Sequence, residues 1–392
     1  MSDISKDVHP LCHRFVAACG SLGIRPTADF NGADMEGAGL WPMTIRNGIR
    51  VSTANAFLRP AMRRSNLKVT MHALVARVCF EGRRASGVEF LQRGERRAAR
   101  ARREVILCGG AINSPQLLQL SGVGEESLLR GLGIPVVQHA PAVGQGLQDH
   151  VAVSYYFKSR VPTLNDELYP LSGKIKAAIH YALRRRGPLS MSVNQAGAFV
   201  RSRAGLDRPN LHIYFNPLSY TTATGTQRKL MNPDPFPAFL MSFNTCRPTS
   251  RGSISIASPD PLARPAIRPN SLASAEDMRD VFEGAQVLRR IASAPPLAQI
   301  IESEWQPGLQ VQSADALLED FRRRAATVYH ACGTCGMGPS PLTAVVDHRL
   351  QVYGVSGLRV VDASIFPTVT SGNTNAPTIM VAEKAADLIL QG

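Results

Sequence analysis

Two short segments carry side chains suited to chemistry: YHACGTCGMG, with His330, and SGNTNAPTIMVAEKAADLI, with Asn373 and Asn375. Histidine is the usual group for taking a proton near neutral pH, and small residues after His330 leave its ring bordered by backbone. A lone histidine is more often structural than catalytic until another group joins it. The two asparagines stand just before a helix whose first turn contains Pro377. Such an end presents unpaired N–H groups and about half a positive charge, which suits a phosphate, a carboxylate or the anionic edge of a reduced ring. Helix capping by the same asparagines is the alternative, and spacing does not separate the two. Cys332 and Cys335 form one CxxC. A redox or zinc site needs a second pair, or a CxxC opening a helix after a strand, so these read as small residues in a tight turn and no metal is expected.

The elements that must position these residues follow from periodicity and turn chemistry. A helix over Cys12–Cys19 ends at Gly20, and DFNGADMEGAGLWP reads as loop. From Asn66 the pattern is two strands with a turn at Glu81–Arg84. EVILCGGAINSPQLLQLSGVG gives a short apolar strand, a Gly-Gly turn and a helix with Ser114 as N-cap and Pro115 at its first position, stopping near Gly122. A helix is expected over Gly173–Leu183, ending at Arg184–Gly187. Strands are expected at Leu211–Phe215, Ala238–Asn244 and Ser253–Ala257, where frequent prolines disfavour helix. Helical periodicity resumes over Glu276–Ala292, with Met278, Val281, Ala285, Leu288 and Ile291 on one side. LRVVDAS reads as a strand, and a helix from about Pro377 to Leu390 follows. No repeats are found.

A chain of 392 residues accommodates more than one domain. The net charge of +14 invites a nucleic-acid reading. The basic residues are scattered, however, and the runs at Arg184–Arg186 and Arg322–Arg324 lack the interleaved aromatics of a strand-binding surface. A solvated arginine-rich face is the better reading, with attraction to an anionic membrane surface left open. No apolar run reaches the ~20 residues of a membrane span, and the first residues lack a secretory signal core. Seven dispersed cysteines suit a reducing compartment, so the expected location is the cytoplasm.

Further matches give the reading a direction. GGAINSPQLLQLSGVG, VGQGLQDH, YHACGTCGMG, LRVVDASIFP and SGNTNAPTIMVAEKAADLI together resemble the glucose–methanol–choline (GMC) family of FAD-dependent oxidoreductases, over essentially the whole chain. The resemblance implies an α/β (α+β) fold: an incomplete FAD-binding Rossmann-like domain, interrupted by a substrate domain with an antiparallel sheet and flanking helices. The expected division is 1–150, 151–328 and 329–392. By matching residue, His330 stands at the catalytic histidine and Asn373 at the second active-site position. Val75 stands at a strand position whose backbone meets the adenine. Asp362 and Ala363 lie beside the ribityl–pyrophosphate arm, and Asn375 and Thr378 at the flavin ring.

Two departures matter. No G-x-G-x-x-G is present, so the nucleotide-binding N-terminal third of a family member is expected to be missing. The strand near Val105 is then expected to lack neighbours, and FAD affinity to be weak or absent. Gly146 replaces the usual asparagine and is expected to loosen a loop contact. The implied activity is oxidation of a primary or aliphatic alcohol, with electrons passed to a quinone or other non-oxygen carrier. Alternatives are a choline dehydrogenase, an oxygen-using oxidase, a flavin-retaining lyase, or a catalytically silent chain serving as a partner module. LSMSVNQAGAFVRS and LHIYFNPLSY favour an alcohol over a quaternary ammonium substrate, which wants an aromatic cage. Asn194 and Gln195 there read as exposed loop amides.

Overall fold

A computed structural model describes residues 4–221 and 232–391. The chain divides into two compact units, one of residues up to Lys68 with Val151–Thr245 and Met278–Ala326, the other of Val69–His150, Cys246–Asp277 and the stretch from Thr327 on.

The first unit is built on an antiparallel sheet. Its strands run in the order Gly37–Leu40, Ala196–Val200, Leu211–Asn216, Ala238–Thr245, Val151–Ser159 and Ile301–Gln306. Ala238–Thr245 is buried along its whole length, as a central strand covered on both faces must be. The Leu11–Ser21 helix stacks Phe15 on Phe215, ring centroids 5.1 Å apart. The Ala275–Ser293 helix buries Val281, Ala285, Leu288 and Ile291, as its periodicity requires. Within it Gly284 has no room for a side chain: a Cβ there would meet the Phe243 ring at 2.3 Å. GAGL, expected as loop, is an edge strand pairing with AGAFV, because its glycines let the backbone close in: a Cβ on Gly39 would meet the Thr27 carbonyl oxygen at 2.2 Å. Gln195 is buried rather than an exposed loop amide, and its Oε1 accepts the His9 N–H at 2.8 Å.

The second unit carries the residues of interest. Ala73–Glu81, Arg84–Gln92 and Glu95–Arg100 form an antiparallel meander whose first turn places Gly82 at φ +60°. Val105–Leu107 lies parallel to Leu358–Val360, so the strand near Val105 has one neighbour, contrary to expectation, while Ile106 stays exposed. The core joins Val78, Leu107, Leu118, Val346, Val360 and Ile365 with both cysteines of the CxxC. None of the seven cysteines forms a disulfide. Burial pushes the Cys335 thiol up, and that of Cys332 up to about 12, so neither is a ready thiolate.

The helix after Val105–Leu107 corrects a local expectation. It runs Gly110–Leu120, with Gly109 as N-cap and Pro115 inside. Proline has no N–H for the carbonyl four residues back, that of Ala111. The Thr334 hydroxyl donates to this carbonyl instead, at 2.6 Å. Ser114, freed from capping, donates its hydroxyl to Asp362 at 2.6 Å and accepts the Gly109 N–H at 3.0 Å.

The units change over near 150 and 327, and two further segments join elements distant in sequence. Residues 1–68 join the middle of the chain because Gly37–Leu40 pairs with Ala196–Val200. Residues 246–277 join the second unit because Gly252–Ser255 pairs with Gln145–Leu147. Such pairings are non-local, and no composition shift marks them.

Candidate active site

Four segments of the second unit converge on His330. The strand-like bridge between Gln148 and Cys332 holds the 148–150 and 330–332 backbones side by side. Gln148 ties them further, donating to the Pro248 carbonyl at 2.7 Å and accepting the Val369 N–H at 3.0 Å. Gly333 sits at φ +88°, and a Cβ there would meet the Gly146 carbonyl oxygen at 2.5 Å, so the turn after His330 demands glycine. Gly146, at φ +78°, holds a left-handed conformation that asparagine also tolerates, which accounts for the exchange at this position.

His330 is 6% exposed and His150 is fully buried. Their Nδ1 atoms lie 2.9 Å apart, and His150 Nε2 lies 2.9 Å from the Cys246 carbonyl oxygen. A carbonyl only accepts, so His150 carries its proton on Nε2 and its Nδ1 is a lone pair. His330 must then donate from Nδ1, which leaves its Nε2 unprotonated. The Asn373 amide lies against that nitrogen, Nδ2 to Nε2 3.1 Å, and donates to it. The donors all point one way, from Asn373 through both imidazoles to the Cys246 carbonyl. The basic nitrogen thereby faces Asn373.

Electrostatics agree with the neutral form. Burial, with His150 beside it, lowers the His330 pKa to about 4. His150 is lowered by burial as well. Asp149 accepts the His330 N–H at 2.9 Å and the Thr327 hydroxyl, and burial raises its carboxyl above the ordinary carboxylate range. It fixes the His330 backbone rather than the ring.

The remaining candidates separate into two groups. Asn373 does not cap the Asn375–Leu390 helix: Thr374 is the N-cap residue, and no side chain caps the first turn. Asn375 is the first helical residue and exposed, while Thr378 turns its hydroxyl back to the Thr374 carbonyl at 2.7 Å. Asp362 lies two residues past the Leu358–Val360 strand and is used up within the protein, accepting from Ser364 N at 2.8 Å, Gly110 N at 2.9 Å and the Ser114 hydroxyl. Ala363, half-buried, follows it. Val75 lies exposed on the first meander strand. His330 and Asn373 are thus in contact, whereas Val75 belongs to the meander. His150, Asp149 and the Cys246 carbonyl are the partners that residue types alone did not single out. The D-H pair closing VGQGLQDH was the available signal.

These surroundings fit a dinucleotide of the kind FAD is. The carboxyl ends of two parallel strands meet at Gly110, at φ +78°, and Asp362, the crevice where such folds take nucleotides. The uncapped helix start adds free donors and partial positive charge. Ala385 is the only buried side chain of that apolar helix, and Met380, Ile106 and Val75 expose apolar surface.

Residues 2–152 and 248–382 match the N- and C-terminal models of GMC oxidoreductase. The chain is 43% identical to the mitochondrial choline dehydrogenase of Mus musculus, over 98% of this chain and 64% of that protein. It is 40% identical to the alcohol dehydrogenase (acceptor) of Pseudomonas putida, over 100% of this chain and 70% of that protein. Among solved structures, pyridoxine 4-oxidase from Mesorbium loti superimposes with a TM-score of 0.86 at 28% identity, covering 99% of this chain and 71% of that one. The chain spans just under two thirds, 64%, of the mitochondrial choline dehydrogenases it matches, and by these matches it belongs to the GMC oxidoreductase family.

Proposed function

We propose that this chain serves the FAD-dependent oxidation of a primary or aliphatic alcohol to an aldehyde, with electrons leaving to an acceptor other than oxygen. The observation that carries the reading is the 3.1 Å contact between Asn373 Nδ2 and His330 Nε2, at the end of a proton-ordered chain that leaves this nitrogen basic. Bound FAD supplies the hydride acceptor. The chain's own part is proton handling and orientation. A substrate hydroxyl entering between Asn373 and His330 gives its proton to His330 Nε2. The Asn373 amide, already turned toward that point, donates to the alkoxide oxygen as charge grows on it. The uncapped start of the Asn375–Leu390 helix, Asn375 and Thr378 included, favours negative charge beside it, and the segment at Asp362 and Ala363 would hold the cofactor's phosphate arm. Val75 would meet the adenine through its backbone.

Alcohol is favoured over choline because one aromatic cluster of the first unit packs on itself. Trp41, Phe199, His212 and Tyr214 pack with centroids 4.0 to 6.4 Å apart, which leaves no cage among them for a quaternary ammonium. The relatives lend no support to a catalytically silent module. In flavin-loaded enzyme, dye reduction is expected with aliphatic primary alcohols, slower reduction with choline, and little oxygen uptake. His330→Ala is expected to lower turnover by ~10²–10⁴. An unchanged rate removes His330 from the reaction, and fast oxygen uptake makes the enzyme an oxidase.

A further inference from the structure

The Leu171–Arg184 helix of the first unit turns an apolar face to solvent. Its inward side is fixed by close contacts. A Cβ on Gly173 would meet the Glu167 carbonyl oxygen at 1.8 Å, Ala177 packs with Leu164, Leu168 and Leu218, and the Tyr181 hydroxyl donates to the Gly48 carbonyl at 3.1 Å. The opposite side carries Leu171, Ile175, Ile179 and Leu183, which are 72%, 51%, 55% and 79% exposed. Steps of four residues keep them on one stripe. Tyr169, 51% exposed, extends it at the N-terminal end. An ordinary surface helix points such a stripe at the core. This one turns Gly173, Ala177 and Tyr181 inward and its large aliphatic side chains outward.

Its charge is one-signed. Lys174 and Lys176 flank the stripe, Arg184, Arg185 and Arg186 close its end, and no Asp or Glu occurs from Leu168 to Gly187. Arg185 stacks over the Tyr181 ring at 5.0 Å and Arg186 pairs with Asp7 at 3.1 Å, which orders the basic end. Among the described residues no helix is long and apolar enough to cross a membrane, so an apolar partner here is met at its surface.

We infer that the Leu171–Arg184 helix docks on an anionic lipid bilayer. It lies flat in the interface, with Leu171, Ile175, Ile179 and Leu183 at the acyl boundary and the basic side chains among the headgroup phosphates. Large apolar side chains framed by lysine and arginine are what such an interface selects. A protein groove would offer the stripe a cover but gives no reason for five cations on a segment with no acidic residue of its own. The inference is independent of the redox reading.

Co-sedimentation of the full chain with vesicles tests it. The protein is expected to pellet with phosphatidylcholine–phosphatidylglycerol vesicles, to stay in solution with phosphatidylcholine alone, and to release as salt rises past the screening range. Ile175→Asp with Ile179→Asp, and separately Lys174→Glu with Lys176→Glu, should each weaken binding at least about tenfold. Their melting temperatures should stay at the wild-type value, because these side chains face outward. Ile179→Trp supplies a reading free of any folding loss: its emission should shift to the blue on anionic vesicles and be quenched by brominated acyl chains. Wild-type protein left in solution with both vesicles overturns the inference. So does undiminished binding by the aspartate pair, or a tryptophan that brominated chains do not quench. A concentration-dependent dimer that Ile175→Asp abolishes, without vesicle binding, assigns the face to a second copy instead.

Discussion

The Nδ1 atoms of His150 and His330 lie 2.9 Å apart, and only one of them can hold the proton between them. The Cys246 carbonyl settles which, since it takes the Nε2–H of His150. A proton arriving at His330 Nε2 therefore makes an imidazolium whose Nδ1–H is already donated to a neutral acceptor. The consequence is checkable without any substrate. Long-range ¹H–¹⁵N spectra at neutral pH should show His330 as the Nδ1–H tautomer and His150 as the Nε2–H tautomer. Finding His330 protonated on Nε2 would end its candidacy as a base.

In the proposed reaction His150 touches the base rather than the reacting atoms, which makes it a positioning residue. A conservative replacement separates that role from mere packing. Glutamine has an oxygen that can accept from His330 Nδ1 and an amide that can donate to the Cys246 carbonyl; leucine has neither. His150→Leu should lower kcat by about 10- to 100-fold with KM little changed, in line with about 1–3 kcal/mol for a buried group left without its partner. His150→Gln should recover most of the loss. Equal defects in both variants would mean that His150 only fills space.

How much of this was legible in the sequence depends on how local the cause was. His330 and Asn373 are readable from type and context, and the structure puts them in contact. His150 escapes because its function rests on a carbonyl 96 residues away and an imidazole 180 residues away. Ser114–Pro115 looks like a helix start by local rules. The fold carries the helix back to Gly110 because Thr334, far along the chain, supplies the donor that Pro115 lacks. Residues 37–40 escape for the opposite reason: small residues and glycine carry no strand signal, and the edge of Ala196–Val200 recruits them.

That bond from Thr334 makes a quantitative prediction. Thr334→Val keeps the shape but leaves the Ala111 carbonyl buried without a donor, which should destabilise the fold by about 1–3 kcal/mol. Pro115→Ala restores an N–H at the position that normally serves this carbonyl. In that background Thr334→Val should be close to neutral. Denaturant unfolding of the four proteins forms a double-mutant cycle, and additive losses would show that the hydroxyl and the proline are not coupled.

The depressed histidines set an acid limit on stability. The His330 pKa is about 4 in the fold against an ordinary 6.5, and that of His9, in the other unit, is lowered to about 4 by burial. Between those values the unfolded chain binds more protons than the folded one, so stability rises with pH across the window. The contribution is complete above pH 6.5 and is lost as pH falls toward 4. Asp149 works the other way, because its raised pKa lets the fold take up a proton early and offsets part of the loss at the acidic end. The melting temperature should therefore be nearly flat above neutrality and fall from pH 6.5 downward. His330→Gln, which cannot titrate, should fall less steeply over the same interval. Parallel curves for the variant and the wild type would show that His330 is not held neutral by the fold.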